Sequence, residues 1–400
     1  MSRDTSLLTP RNFRGIRWCC VAAFAALIPS AFALNPVQFP PSGYVRKDFT
    51  VEDGLPDNNV NAIIQSRNGY LWVGTQGGLA RFDGQHFTLV RLRGEHSREV
   101  PVTALVSASN GDLWVGTDSG LALVPKTAVD HFDSTLVKLY HPGGGLGDQI
   151  IWLHLGREGV LWVGTSRGLY RLDHDNFVTV MPDAWISRIE GAPNGHLLIT
   201  TGEGYNSHLR KPHSSVTNSL GSMFVEWDGS RLISHPEAAR QLGVKENQIF
   251  QVSEFHAGVT WFCTAAGVAR RVSGSLQRLS PYGVSLKIPA YRVYEDVQGN
   301  VWVVTQKGLF RVAGDHLEPF DPTLVSRSIY CDPEGDLWIG TGDTGLVRLR
   351  RRTIRMYTKA DGLPNDKVET VLLGHDGTLW VGNNCDGLSR FNGQRFTTYS

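Results

Sequence analysis

Residues 164–168 read Gly-Thr-Ser-Arg-Gly. This is the G-x-S-x-G spacing that puts a serine hydroxyl on a sharp turn for nucleophilic attack. Such a turn has to join a strand to a helix. Here it is flanked by "VLWV" and "LYRLD", both of which read as strands. The same slot is Gly-Thr-Gln-Gly-Gly at 74–78 and Gly-Thr-Asp-Ser-Gly at 116–120. Ser166 is therefore a variable turn residue, and the sequence offers no catalytic residue. The glycine-rich "HPGGGLGD" at 141–148 has neither the lysine nor the spacing of a phosphate-binding loop and reads as a connection. "DHD" at 173–175 lacks the remaining ligands of a calcium loop. Cys263, Cys331 and Cys385 form no CxxC pair and read as separate small apolar residues. No metal and no cofactor is expected.

Two basic groupings could bind an anion. Arg81, Arg171, Arg270, Arg311, Arg348 and Arg390 recur three residues after a turn glycine. They fall on strands toward the outer part of each repeat, where they cannot converge, so a solvated or ion-paired role is expected. The second grouping lies in "YNSHLRKPHSSVTNSLGS", residues 205–222. It carries His208, Arg210, Lys211 and His213 among small polar residues. Long polar insertions on a rigid scaffold often carry function, although a passive loop has the same composition. These four are the candidate ligand-binding residues, suited to a carboxylate or sulfate on a small molecule or oligosaccharide.

The elements that would position such residues repeat along the chain. "GYLWVGTQGGL" at Trp72 recurs around Trp114, Trp162, Leu198, Trp261, Trp302, Trp338 and Trp380. A glycine stands three residues before the Trp position in all eight copies, from Gly69 to Gly377. Such glycines supply the positive φ of tight hairpins. The apolar run at the Trp suits a strand buried on both faces. Another apolar strand precedes each hairpin ("VNAIIQ", "IIWLHL", "AYRVYE"), and two more follow it. Four short strands at a period near forty residues predict the blades of a β-propeller, an all-β fold.

Asp-Gly-Leu-Pro occurs at 53–56 and again at 361–364. The interval fits seven blades. The expected organisation is an export signal over 1–33, a seven-bladed propeller over 34–356, and the first blade of a second propeller over 357–400. A rival count closes one eight-bladed ring with "YVRKDFT" (44–50) in the last blade. The export signal rests on Arg11, Arg14 and Arg17 before an apolar run that ends at Ala31-Phe32-Ala33. The run is short for a membrane span and is interrupted by Pro29. A formal net charge of +1 argues against a nucleic-acid partner, which requires clustered basic residues.

The pattern "DGLP…V…I…G.LWVGT..GL.RFDG..F" resembles the two-component regulator propeller repeat over about residues 44–400. The resemblance implies the extracytoplasmic sensor region of a bacterial signalling protein anchored in the inner membrane. It further implies a homodimer with a histidine kinase output outside this chain, acting on a response regulator. A diguanylate cyclase output is the first alternative. A secreted polysaccharide-acting propeller enzyme is the second, although the Asp-box of sialidase-type propellers is missing (Arg67, Ser109, Arg157 and His375 stand at its Asp position). A plain interaction scaffold is the third.

Overall fold

The structure is a computed structural model that describes residues 43–92, 100–130, 134–143, 149–202, 224–281, 287–352, 354, 356–384, 386–393 and 395–399. These belong to the unit Phe39–Ser400. The expected export signal lies outside the described residues, as do His208, Arg210, Lys211 and His213.

The described strands form eight four-stranded antiparallel sheets. Sheet 1 shows the plan. Its inner strand Val60–Gln65 pairs with Leu71–Thr75, then Gly78–Phe82, then the outer strand Phe87–Val90. The inner strands of sheets 2 to 7 are Val102–Ser107, Ile150–Leu155, Ile186–Gly191, Ile249–His256, Ala290–Glu295 and Ser326–Cys331. Sheet 7 takes its fourth strand from the other end of the ring. Tyr44–Phe49 pairs antiparallel with Leu346–Arg351, from Tyr44 opposite Arg351 to Phe49 opposite Leu346. The inner strand of sheet 7 packs on that of sheet 1, which closes the circle. The strand at 44–49 thus completes the seventh sheet, not an eighth as the rival count had it. The eighth sheet starts at Val368–Leu373, a strand exposed along its whole length. The equivalent strand of sheet 1 has three buried residues and no exposed one.

The repeat residues explain the packing. The second strand, Leu-Trp-Val-Gly-Thr in sheets 1, 2 and 3, is buried at every position. Trp72 and Trp302 are wholly buried, each contributing roughly 2–3 kcal/mol through removal of apolar surface from water. A buried indole N–H needs an acceptor. Trp72 donates to Ser66 Oγ at 3.0 Å, Trp302 to Asp296 Oδ2 at 2.8 Å and Trp338 to Asp332 Oδ2 at 2.7 Å. In each case the acceptor lies six residues upstream, across the hairpin.

The recurrent arginines have a local purpose. Arg81, Arg171, Arg270, Arg311, Arg348 and Arg390 are the cross-strand partners of the repeat tryptophans. The Arg270, Arg348 and Arg390 guanidiniums sit 5.8, 5.5 and 5.9 Å from the centres of the indoles they oppose. Arg311 pairs with Glu318 at 3.0 Å. They are spread around the ring, as expected, and do not form one site. Sheet 4 varies both members of this pair. Leu198 replaces the Trp, and Glu226 stands opposite it. Without an indole face the arginine loses its partner, and Glu226 instead meets His235 Nε2 at 3.0 Å and the ring of His196.

One irregularity recurs in every sheet. The register of the inner strand shifts between its first and third residues, at Val60/Ala62, Val102/Ala104, Ile150/Trp152, Ile186/Arg188, Ile249/Gln251, Ala290/Arg292, Ser326/Ser328 and Val368/Thr370. A bulge re-aims the side chains beside it. In sheets 1 to 7 the third residue lines the central channel.

Candidate functional site

The channel encloses about 370 Å³ and is lined by all seven inner strands of the ring. Its wall is stapled at every junction between sheets. Asn61 Nδ2 donates to Val102 O at 2.9 Å, Thr103 Oγ1 to Ile150 O at 2.6 Å, and Trp152 Nε1 to Ile189 O at 2.8 Å. Gln251 does three jobs with one amide. Its Nε2 donates to Glu190 Oε1 at 3.3 Å and to Val293 O at 3.1 Å, while its Oε1 accepts from Val293 N at 2.9 Å. The Tyr294 hydroxyl accepts from Cys331 N at 2.9 Å. Ser328 Oγ donates to Val60 O at 3.3 Å. Each bond satisfies a backbone or side-chain group that the bulged strand leaves outside its own ladder.

The charged residues cluster on one side of this wall. The Arg188 guanidinium lies 4.2 Å from the centre of the Trp152 ring and donates to Glu190. Arg292 approaches the same ring at 5.6 Å. Trp152 is held in place by its own N–H bond, so it serves as a fixed platform for both cations. Glu295, also in the lining, accepts from His256 Nε2 at 2.7 Å. Asn61 Oδ1 is buried without a hydrogen-bond partner. Beside the channel, Cys263 is fully buried and burial pushes its thiol up, so it stays a protonated, unreactive thiol. Among the described residues no group of three or more His, Cys, Asp or Glu could hold a metal ion.

A second depression adjoins the channel at the hairpin end of the inner strands. Phe255 and Glu295 line both the channel and this depression, which includes His154, Arg157 and His196. Burial holds the His154 imidazole below its ordinary value of 6.5, against the opposing pull of Glu190. The folded protein therefore keeps this ring neutral, while the unfolded chain takes up a proton as pH falls through that ordinary value. Stability from this group is present above about 6.5 and is lost as pH falls toward the lower folded value. Thermal melts between about pH 7.5 and 5 should show a smaller acid-side loss for His154→Gln than for the wild type. Parallel curves would show that His154 does not contribute to the slope.

The expected ligand residues His208, Arg210, Lys211 and His213 fall within 203–223, outside the described residues. The insertion leaves the second strand of sheet 4 after Thr201 and returns at the third strand, Phe224–Trp227. The channel residues were not singled out by sequence reasoning. Their signal was present: the third residues of the seven inner strands read Ala, Ala, Trp, Arg, Gln, Arg, Ser inside runs that are otherwise mostly apolar.

A closed ring of seven four-stranded sheets around a polar channel, followed by an eighth sheet, defines a β-propeller protein. Within that class, two segments, residues 54–77 and 320–343, match the family profile described as two component regulator propeller. The chain is similar to the extracellular domain assigned to a hybrid two component system, BT3049, of B. thetaiotaomicron. That likeness has a TM-score of 0.58 at 19% identity, covering 89% of this chain and 49% of that one. It is also similar to virginiamycin B lyase from Staphylococcus aureus, with a TM-score of 0.56 at 12% identity over 77% of this chain and 100% of the lyase. At these identities the likeness concerns the fold. A curated relative, histidine kinase P4 of Formosa agariphila, is 36% identical over 80 residues, which is 20% of this chain and 6% of the kinase. The chain thus spans about half of the BT3049 structure and a small part of the kinase.

Proposed function

We propose that this chain is the extracytoplasmic sensing region of a two-component signalling protein. The observation that carries this reading is the recurrence of the regulator propeller repeat at both ends of the closed ring, at 54–77 and 320–343. The similarity to an extracellular sensor-protein domain supports the location. The partial match to a histidine kinase favours a kinase output over a cyclase. In this reading the full protein is a membrane-anchored homodimer that signals to a response regulator, and the propeller takes no part in the phosphotransfer chemistry. Ligand binding drives signalling only if it favours one arrangement of the protein over another.

The eighth sheet fits the same scheme as the first blade of a second propeller. Its Val371, Leu372 and Leu373 are well over half exposed. Its Gly382 keeps the place that glycine holds in sheets 1, 2, 3 and 7, where a neighbouring blade packs against it. The atoms closest to Gly382 here belong to Thr370 of its own sheet. A blade with an unfilled glycine seat is built to receive another.

Reporter fusions after residue 400 test the location. Alkaline phosphatase at that point should be active and β-galactosidase inactive in intact cells. The opposite pattern would overturn the reading.

A further inference from the structure

The seventh and eighth repeats align without a gap from Gly345 to Tyr357 and from Gly387 to Tyr399. In the eighth, this stretch ends in the fourth strand, Phe396–Tyr399, antiparallel to Leu388–Phe391. By the same count 354–357 is the fourth strand of sheet 7. That place is taken instead by Tyr44–Phe49, paired with Leu346–Arg351 along its whole length. The described residues of 354–357 belong to no sheet, and Ile354 and Met356 are 81% and 80% exposed. Residues two apart share one face of an extended segment, and an unpaired extended backbone is a template for another strand.

The downstream end of this segment repeats that of the strand closing the first ring. Thr50 N donates to Asp53 Oδ2 at 2.8 Å, and Thr358 N to Asp361 Oδ2 at 2.9 Å. Val51 N donates to Asn58 Oδ1 at 3.0 Å, and Lys359 N to Asp366 Oδ1 at 2.7 Å. Phe49 packs on Phe82 and Phe87 of sheet 1. Tyr357 packs on Phe391 and Phe396 of sheet 8, with ring centres 4.9 and 5.4 Å away. Each segment therefore holds the same place before the sheet that follows it.

We propose that 354–357 is the closing strand of a second ring. Its partner is the third strand of that ring's last repeat, in the chain beyond residue 400. The inference rests on the reading of sheet 8 as the first blade of a second propeller, and adds how that ring is fastened. The first ring defines the partner's chemistry. Phe49 lies opposite Leu346, and a Cβ at Gly345 would overlap the Phe49 carbonyl oxygen. The turn glycines Gly168 and Gly308 meet the fourth-strand carbonyls of Met181 and Asp321 in the same way. The partner strand therefore opens Gly-Leu, with its glycine against the Tyr357 carbonyl. Phe49 also stacks on Trp338, so an indole of the last repeat covers Tyr357. The other face changes character. Ile354 and Met356 stand where the first ring has Arg46 and Asp48, and Arg46 meets Asp321 of sheet 6. The sheet before the last one presents an apolar surface there, since a carboxylate would be buried unpaired. A second copy of this chain offers no such strand. Its Leu346–Arg351 is taken by Tyr44–Phe49, and its Leu388–Phe391 by Phe396–Tyr399.

Amide hydrogen exchange of the complete gene product, compared with the same product ended at residue 400, tests this. The amides of 354–357 should exchange at least tenfold more slowly in the complete product. Ile354→Asp combined with Met356→Asp should return them to the fast rate while sheets 1 to 7 keep theirs. Valine in place of the glycine of the last Gly-Leu turn should do the same from the partner's side, which mere covering of the segment would not. Equal exchange in the two products, protection untouched by the glycine substitution, or a reading frame that stops at residue 400 would each overturn the assignment. So would protection of the shorter product that rises with its concentration, which would give the strand to a second copy. The comparison of the two unsubstituted products stands even where a variant fails to fold. Reporter location and exchange are separate readouts, so a failed sensing role and a failed closing strand are distinguishable.

Discussion

Replacing Gly164 with Val should destabilise the ring by about 3 kcal/mol or more, the upper range for overpacking a close-packed core. The reason is geometric. A Cβ at Gly164 would meet Ile186 Cγ2 at 2.6 Å and Ile186 Cβ at 2.9 Å. Ile186 opens the inner strand of the next sheet and is itself fully buried. Gly116 stands in the same relation to Ile150, at 2.6 Å, and Gly74 to Val102. The glycine of Leu-Trp-Val-Gly-Thr therefore makes room for the neighbouring blade and does not serve a turn. Sheets 5 and 6 exchange the sizes: Cys263 precedes Ala290 at this register, and Val304 precedes Ser326, all four fully buried. Sheet 4 keeps both larger, with Thr200 before Ile249. The exchange supplies a second, sharper expectation. Ile186→Ala alone should cost about 2–5 kcal/mol through the cavity it leaves. Adding Gly164→Cys should recover part of that loss, because the pair then copies Cys263 and Ala290. Urea unfolding of the two single variants and the double variant measures the coupling. Strictly additive losses would show that Gly164 is constrained by something other than Ile186.

This pairing also shows what the sequence made visible. The Trp positions and the hairpin glycines announced the blades because each acts within a few residues of itself: Gly69 has φ of +86°, and Trp72 bonds Ser66 across the same hairpin. The Gly74–Val102 relation spans two repeats, so it looked like one more element of a motif. The channel was harder to read for a different reason. Alternation of side chains along a strand separates its two faces only while the register holds. The bulge after the first residue of each inner strand shifts that phase. Arg188 and Arg292 sit in short strands of mixed polarity, Ile186–Gly191 and Ala290–Glu295, and period-two counting does not mark them as channel-facing. The segment 44–50 was legible as a closing strand in the eight-bladed count, but the sheet it completes was not. Val45, Arg46, Lys47 and Asp48 look like a surface segment, and their partners lie some three hundred residues away at 347–350. The arginine ladder was read as polar surface; its cross-strand tryptophans become evident only once the hairpin register is known. The ligand residues expected in the insertion lie outside the described residues, so the legible part of the site was the scaffold and not its chemistry.

Phe49→Ala should remove about 3–5 kcal/mol from the ring, the range for truncating a buried phenylalanine. Phe49 is 2% exposed and touches rings on two sheets. Its centroid lies 5.2 Å from Phe82 and 5.7 Å from Phe87 in sheet 1, and 5.9 Å from Trp338 in sheet 7. The opposite face of the same strand ties sheet 7 to sheet 6. Arg46 Nη1 meets the fully buried Asp321 Oδ2 at 2.8 Å and Thr323 Oγ1 at 2.9 Å, and Tyr44 packs on Phe320 at 5.2 Å. Arg46→Met should cost about 3 kcal/mol, because it leaves a buried carboxylate without its cation. Asp321 keeps the hydroxyl and amide of Thr323 as donors, which places the loss at the lower end. Since the two residues act on opposite faces, against different sheets, their losses should add in the double variant within a few tenths of a kcal/mol. Urea titration followed by tryptophan fluorescence reads the effect directly, because Trp338 and Trp302 lie at the two seams. An unchanged midpoint for both single variants would mean that the ring holds together without its closing strand. A loss confined to one variant would identify which seam opens first.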